Sequence, residues 1–401
     1  MSAHEPIAVV TISNRGALRL KSGHPWVYRS DISRAEAIPA GALVHVQDER
    51  GRKLGTALYS SSSQIAIRLL TSKIIGQSEM LPLLSGRIDE AVRFRRRNVR
   101  DGDSYRVVFS EADLLPGLIV DKYNDVLVMQ ELTQAFDRED IRHVVMKKLA
   151  EHFPGASLLD RVDPHIRELE QLPGRESQLL SGEKSATIFT LNGVGFHFDG
   201  LGGQKTGAFL DQRENYAAAA RYAHGEALDC FTYQGSFALH LARVCSKVTA
   251  VDSSRPALEV AEQNELLNRE KHTSGEIEWI EANAFDLLKD YSTAGRPYDT
   301  IVLDPPAFAK SKRTVETAIR GYKELNLRAM KMLRRGGMLV TCSCSFHVEQ
   351  LQFLAMLDAA AADAGRKLRI LEKRGAAIDH PVLSGVPETA YLKCIICQVI
   401  D

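Results

Sequence analysis

No apolar run in the 401 residues approaches the roughly 18 needed to span a bilayer. The amino end, Met1-Ser2-Ala3-His4-Glu5-Pro6, lacks the basic and then apolar pattern of an export signal. No membrane association and a cytoplasmic location are therefore expected. Six cysteines are too few for a disulfide scaffold and should be reduced thiols. Cys394 and Cys397 form a C-x-x-C, but no second pair completes a zinc site, and the twelve histidines show no ligand spacing. No metal is expected. Missing too are the three glycines of a G-x-G-x-x-G turn, which argues against a dinucleotide oxidoreductase. Gly202-Gly203-Gln204-Lys205-Thr206 resembles the end of a P-loop but has Gln204 where the motif needs glycine.

Net charge is also lacking: 51 basic and 51 acidic residues cancel. The balance hides an asymmetry, because residues 1–110 carry 17 Lys and Arg against 10 Asp and Glu. The basic excess peaks at Arg93, Arg95, Arg96, Arg97 and Arg100. Such a cluster can neutralise phosphates, although a solvated helix face gives the same pattern.

What is present divides by texture into three ranges. Residues 1–75 read as short strands separated by glycine turns, including Ala42–Val46, Gly55–Tyr59 and Ile65–Leu70, and a small β-barrel buries one face of each. Residues 76–187 read as mixed α+β, with a helix over Pro82–Asn98, strands at Tyr105–Phe109, Leu118–Lys122 and Asp125–Glu131, a helix over Asp137–His152, and a polar linker at 170–187. Residues 188–401 alternate strand and helix, the mark of an α/β doubly wound, mainly parallel sheet that binds ligands at the carboxyl ends of its strands.

Chemistry-bearing residues fall at those ends. Asp229-Cys230-Phe231 closes the first strand, and Gly235 opens the following helix. Asp252 ends the second strand, where a carboxylate can accept both hydroxyls of a ribose. A polar Asn283 beside Phe285 follows the third strand and suits an adenine. Asp304-Pro305-Pro306-Ala307-Phe308 follows the fourth; its prolines remove two backbone donors and stiffen the loop, with Asp304 facing a cofactor amino group. An adenosine ligand without a pyrophosphate fits this set, and S-adenosylmethionine is one. The fifth strand runs from Gly336-Gly337 through Cys342 and Cys344. A thiolate adding to carbon 6 of a cytosine would give carbon 5 the electron density to attack a methyl group. Alternation places both cysteines on one strand face, so spacing does not choose between them.

Over nearly its whole length the chain resembles the ribosomal RNA large subunit methyltransferases that make 5-methylcytosine. Gly23-His24-Pro25-Trp26-Val27 and Gln64-Ile65-Ala66-Ile67-Arg68-Leu69 look like a PUA domain. Residues 111–121 resemble the linking domain of that family. The remainder is similar to its class I methyltransferase domain. The most specific stretch is Gly203–Arg213, which in that family helps close over S-adenosylmethionine, and it carries Thr206, Phe209 and Asp211. Asp304–Lys312 is nearly as specific, and its Lys310 and Lys312 join Arg93, Arg95, Arg96 and Arg97 as candidate RNA contacts. The resemblance implies a Rossmann-like catalytic domain, a ribosomal RNA substrate, a homodimer, and Cys344 as nucleophile. Three departures stand out. Ser236 replaces a second loop glycine, Asn283 stands where aspartate is usual, and Ala307 stands where the wider class has a second cysteine. Asp304 or a water is then expected to take the C5 proton. The competing readings are a methylase of an exocyclic amine and a non-catalytic RNA-binding assembly factor.

Overall fold

The computed structural model describes residues 6–100, 102–202, 209–269, 275–309 and 311–401. It divides into two compact units. The first comprises Met1–Thr187, Asp199–Gln204 and Asp379–Thr389; the second comprises Ile188–Phe198, Lys205–Ile378 and Ala390–Asp401.

The first unit holds two sheets. Six strands, in the order Trp26–Tyr28, Ile65–Thr71, Lys53–Tyr59, Leu43–Asp48, Ala8–Ile12, Ile32–Arg34, form the amino-terminal sheet. Its core includes Val10, Ile12, Val44, Val46, Ala57 and Ile67, the inward positions of alternating strands. The five-stranded sheet orders Gln178–Ser181, Ser157–Asp160, Val126–Glu131, Leu118–Tyr123 and Ser104–Phe109. Gln178–Ser181 lies inside the range expected to be a linker. It is a four-residue edge strand, too short to show hydrophobic alternation.

The helix Gln77–Asn98 begins five residues before the expected Pro82, because Glu79 accepts a hydrogen bond from the Gly76 amide (2.8 Å) and caps an extra turn. It buries Met80, Leu84, Ile88, Ala91, Val92 and Arg95 along one stripe. Asp379–Thr389, far along the chain, packs within this unit: the Arg95 guanidinium donates to the Asp379 carbonyl (2.8 Å) and the Arg106 amide to the Asp379 carboxylate (2.9 Å).

The second unit is built on a seven-stranded sheet. Its strands are β1 Glu226–Cys230, β2 Lys247–Asp252, β3 Glu276–Glu281, β4 Tyr298–Leu303, β5 Leu333–Ser343, β6 Leu368–Arg374 and β7 Lys393–Val399. They lie in the order β3-β2-β1-β4-β5-β7-β6. β1 to β5 are parallel, and β7 runs antiparallel to both β5 and β6. The order turns back at β1 and β4, so their carboxyl ends form the crevice where such sheets bind ligands. Buried Leu228, Ile301, Leu303, Leu339, Ile395 and Cys397 supply the core under it. Both cysteines of the C-x-x-C are buried in β7, opposite Cys342 and Leu339 of β5.

Candidate active site

The loop after β1 is tightly wound. Phe231, Tyr233 and Gly235 all have left-handed backbones, with φ of 67°, 52° and 83°. Left-handed non-glycine residues are costly and persist only when surroundings hold them. Here the Thr232 amide donates to Val251 (3.0 Å) and the Tyr233 amide to the Asp252 carboxylate (2.9 Å). Asp252 accepts a second bond from the Ser254 amide (2.9 Å), so two backbone donors aim it from the end of β2. A Cβ on Gly235 would stand 2.6 Å from the Trp279 ring. That glycine makes room for Trp279 of β3.

Asn283 caps the helix Ala284–Thr293, its side-chain oxygen accepting from the amides of Phe285 (2.9 Å) and Asp286 (3.4 Å). The acceptor expected to meet adenine is thus already engaged, and its amide group is what remains to offer. Phe285 is exposed and tilts towards Phe231 and Phe308, with centroids 6.5 and 5.9 Å apart.

Three carboxylates gather at the mouth of β1 and β4. Asp229 is fully buried, held by the Thr232 hydroxyl (2.6 Å), and burial pushes it up to about 7. Asp304 is pushed up to about 8 by burial and then by the charges of Asp211 and Asp229. Its one eased oxygen accepts from the Gln212 amide (3.0 Å). Asp211 receives the Tyr391 hydroxyl (2.5 Å). Among the described residues, Thr232, Gln212 and Tyr391, which donate to these carboxylates, are neutral, and such a cluster suits a cationic ligand. Phe209, 43% exposed, leans on Tyr233 with centroids 5.4 Å apart. Thr206 and Lys310 lie outside the described residues.

The two cysteines of β5 separate cleanly. Cys342 is fully buried opposite Cys394, and burial pushes its thiol well up. β5 ends at Ser343, so strand alternation no longer governs Cys344. Cys344 is the one cysteine of six that is not buried, and its sulfur lies 4.0 Å from the Pro305 carbonyl oxygen. Its loop is pinned on both sides. Ser343 donates to the Tyr322 hydroxyl (3.0 Å), which bonds the Ser345 hydroxyl (2.9 Å), and the Ala309 amide donates to that same serine (3.0 Å). Lys393 donates to the Ser345 carbonyl (2.6 Å). Burial, then Asp304 and Asp211, push the Cys344 thiol up to about 11. That direction is opposite to the lowering a thiolate step calls for. Tyr322 and Lys393 carry no short motif of their own; only the fold brings them here.

On the first unit, Arg93, Arg96 and Arg97 are exposed on the helix Gln77–Asn98. Arg95 is not among them. It is 0% exposed, paired with Asp113 at 2.5 Å and bonded to the carbonyls of Arg106 and Asp379. It holds the unit together and cannot reach a phosphate; a guanidinium turned inward at helical spacing looks the same in sequence as one turned outward. Lys312 is exposed in the second unit, in the short turn Lys312–Thr314. Among the described residues no group of three or more His, Cys, Asp or Glu could hold a metal ion, and no helix is long and apolar enough to cross a membrane.

Residues 165–396 match the model of the S-adenosylmethionine-dependent methyltransferases, and residues 10–72 that of a PUA-like domain. The chain belongs to the S-adenosylmethionine-dependent methyltransferase family. The methyltransferase has relatives named ribosomal RNA large subunit methyltransferase I along nearly its full length. That of Pseudoalteromonas translucida is 36% identical, over 95% of this chain and 96% of its own. That of Tolumonas auensis is 37% identical over 94% and 96%. Among solved structures, SMU.776 complexed with SAH superposes with a TM-score of 0.81 at 18% identity, covering 98% of this methyltransferase and all of that chain, a likeness of fold.

Proposed function

We propose that this methyltransferase acts on a cytosine of large-subunit ribosomal RNA, at carbon 5, through a covalent adduct with Cys344. The observation that carries the reading is the position of that thiol. Of six cysteines, only Cys344 is open to a substrate, and it lies beside Pro305 and within the electrostatic reach of Asp304. Relatives above 35% identity carry the ribosomal RNA name over the whole chain, which supports the substrate class.

Bound S-adenosylmethionine supplies an electrophilic methyl group. On the proposed path, the Cys344 sulfur, having lost its proton, forms a bond to carbon 6 of the base, and the electron pair moves to carbon 5. Carbon 5 takes the methyl group as its bond to the sulfonium sulfur breaks, the electron pair staying on that sulfur and S-adenosylhomocysteine being left. Asp304 then accepts the C5 proton. The sulfur–carbon 6 bond breaks and the thiolate returns. Asp229, Phe231, Asp252 and Asn283 at the strand ends, with Phe209 and Asp211, are the proposed cofactor contacts. Asp304 borders both reactants. Arg93, Arg96, Arg97 and Lys312 are the proposed phosphate contacts, and the target base must leave its stack to be reached.

Mapping modified nucleotides in large-subunit RNA from cells with and without the gene tests the reading. A 5-methylcytosine lost with the gene is expected. A mark lost from an exocyclic amine instead, or no loss, contradicts it.

A further inference from the structure

We propose that Lys393 is a positioning residue for Cys344: anchored on the backbone carbonyls of Ser345, the residue after Cys344, and of Tyr391, its ammonium favours the thiolate. The inference rests on the reading of Cys344 as nucleophile and assigns the charge that this reading lacks.

Lys393 opens β7 directly opposite Ser343, the last residue of β5. It is only 5% exposed, unusual for a lysine. Its Nζ donates to the carbonyls of Ser345 (2.6 Å) and Tyr391 (2.7 Å). Those bonds fix the cation on the residue that follows Cys344. Burying an ammonium without a carboxylate is costly, and burial pulls Lys393 down to about 8. Among the described residues, the side chain whose ionised form would hold the proton on Lys393 is Cys344.

The charges facing Cys344 come from three elements. Asp304, after β4, and Asp211, before the helix Arg213–Tyr222, both oppose ionisation of the thiol; Lys393, on β7, favours it. A cation anchored on the neighbouring residue can act through charge or through packing, and the two roles separate experimentally. Positive charge beside a thiol raises its thiolate fraction at a given pH, about tenfold for each unit by which its pKa falls.

The test is alkylation of Cys344 by iodoacetamide in the full chain, without RNA or cofactor. Each event forms one sulfur–carbon bond, releases iodide and leaves the thiol proton in solvent. The other five cysteines are buried, and Cys344→Ala gives the background. At about pH 7.5, Lys393→Met is expected to slow alkylation by about tenfold. Lys393→Arg stays within about twofold of the parent, and Lys373→Met, which removes an exposed charge from β6, leaves the rate unchanged. A parent-like rate in Lys393→Met overturns the proposal. So does equal slowing in Lys393→Arg and Lys393→Met, which marks a packing role. If Lys393→Met does not fold, the Lys393→Arg profile decides. Above about pH 9 the arginine keeps its charge where the lysine has lost it, and the variant reacts faster than the parent; superposable profiles overturn the proposal. The alkylation result is independent of methyl transfer, so full methylation by Cys344→Ala would sink the nucleophile reading separately.

Discussion

Gln212 donates its side-chain amide to Asp304 at 3.0 Å, tying the segment before the helix Arg213–Tyr222 to the loop after β4. The bond is neutral-to-anionic and offsets only part of the burial and like-charge repulsion that hold Asp304 up at about 8. On the proposed reading, the cationic cofactor supplies the charge that favours ionised Asp304.

Cofactor affinity should therefore depend on pH. A proton on Asp304 competes with the positive ligand, so binding of S-adenosylmethionine tightens as pH rises from about 6 to about 8, by up to about tenfold per unit, and then levels. Asp304→Asn binds more weakly and flattens that part of the profile. Isothermal calorimetry at several pH values checks it.

Asp229 makes a stability prediction of definite sign. Its folded value, about 7, lies above the ordinary carboxylate value of 3.8. A group raised on folding contributes stability that is fully present below its unfolded value and lost as pH rises through the folded one. The thermal midpoint of Asp229→Asn relative to the parent should therefore climb between about pH 4 and 7. A constant difference across that window contradicts the assignment.

Arg95→Ala should destabilise the first unit by about 3–5 kcal/mol, because Asp113 and two carbonyls lose a buried partner. Combined Arg93→Gln, Arg96→Gln and Arg97→Gln should leave stability within about 0.5 kcal/mol per site while weakening RNA binding and flattening its salt dependence. Denaturant unfolding and filter binding at several salt concentrations separate the two effects.

Gly235→Ala should cost about 1–3 kcal/mol, since the residue needs φ of 83° and its Cβ would meet Trp279 at 2.6 Å. Denaturant unfolding reads this directly.

The strand ends were legible because they carry short, chemically loaded motifs. Asp252 and Asp304 each close an apolar run, and the alternation of strand and helix in residues 188–401 fixes the parallel sheet. Helix faces were less legible. Arg93 to Arg97 differ in sequence only by position, yet one turn of the helix takes Arg95 into the core while its neighbours stay outside. Nor could spacing rank Cys342 against Cys344, because the choice depends on β5 stopping at Ser343. Tyr322 and Lys393 escaped for another reason. Each reaches the Cys344 loop from an element distant in the chain, and no local pattern encodes such a meeting. Gly235 was noticed as a glycine, but its cause, the Trp279 ring, lies on a different strand.

The most direct measurement is trapping on a large-subunit RNA fragment carrying 5-fluorocytosine, with S-adenosylmethionine present. Fluorine at carbon 5 cannot leave as a proton does, so an enzyme using a thiol adduct stalls on its substrate. A covalent protein–RNA band is expected with the parent and with Cys342→Ala, and none with Cys344→Ala. A band that persists in Cys344→Ala, or methyl transfer by the parent with no band at all, contradicts the account.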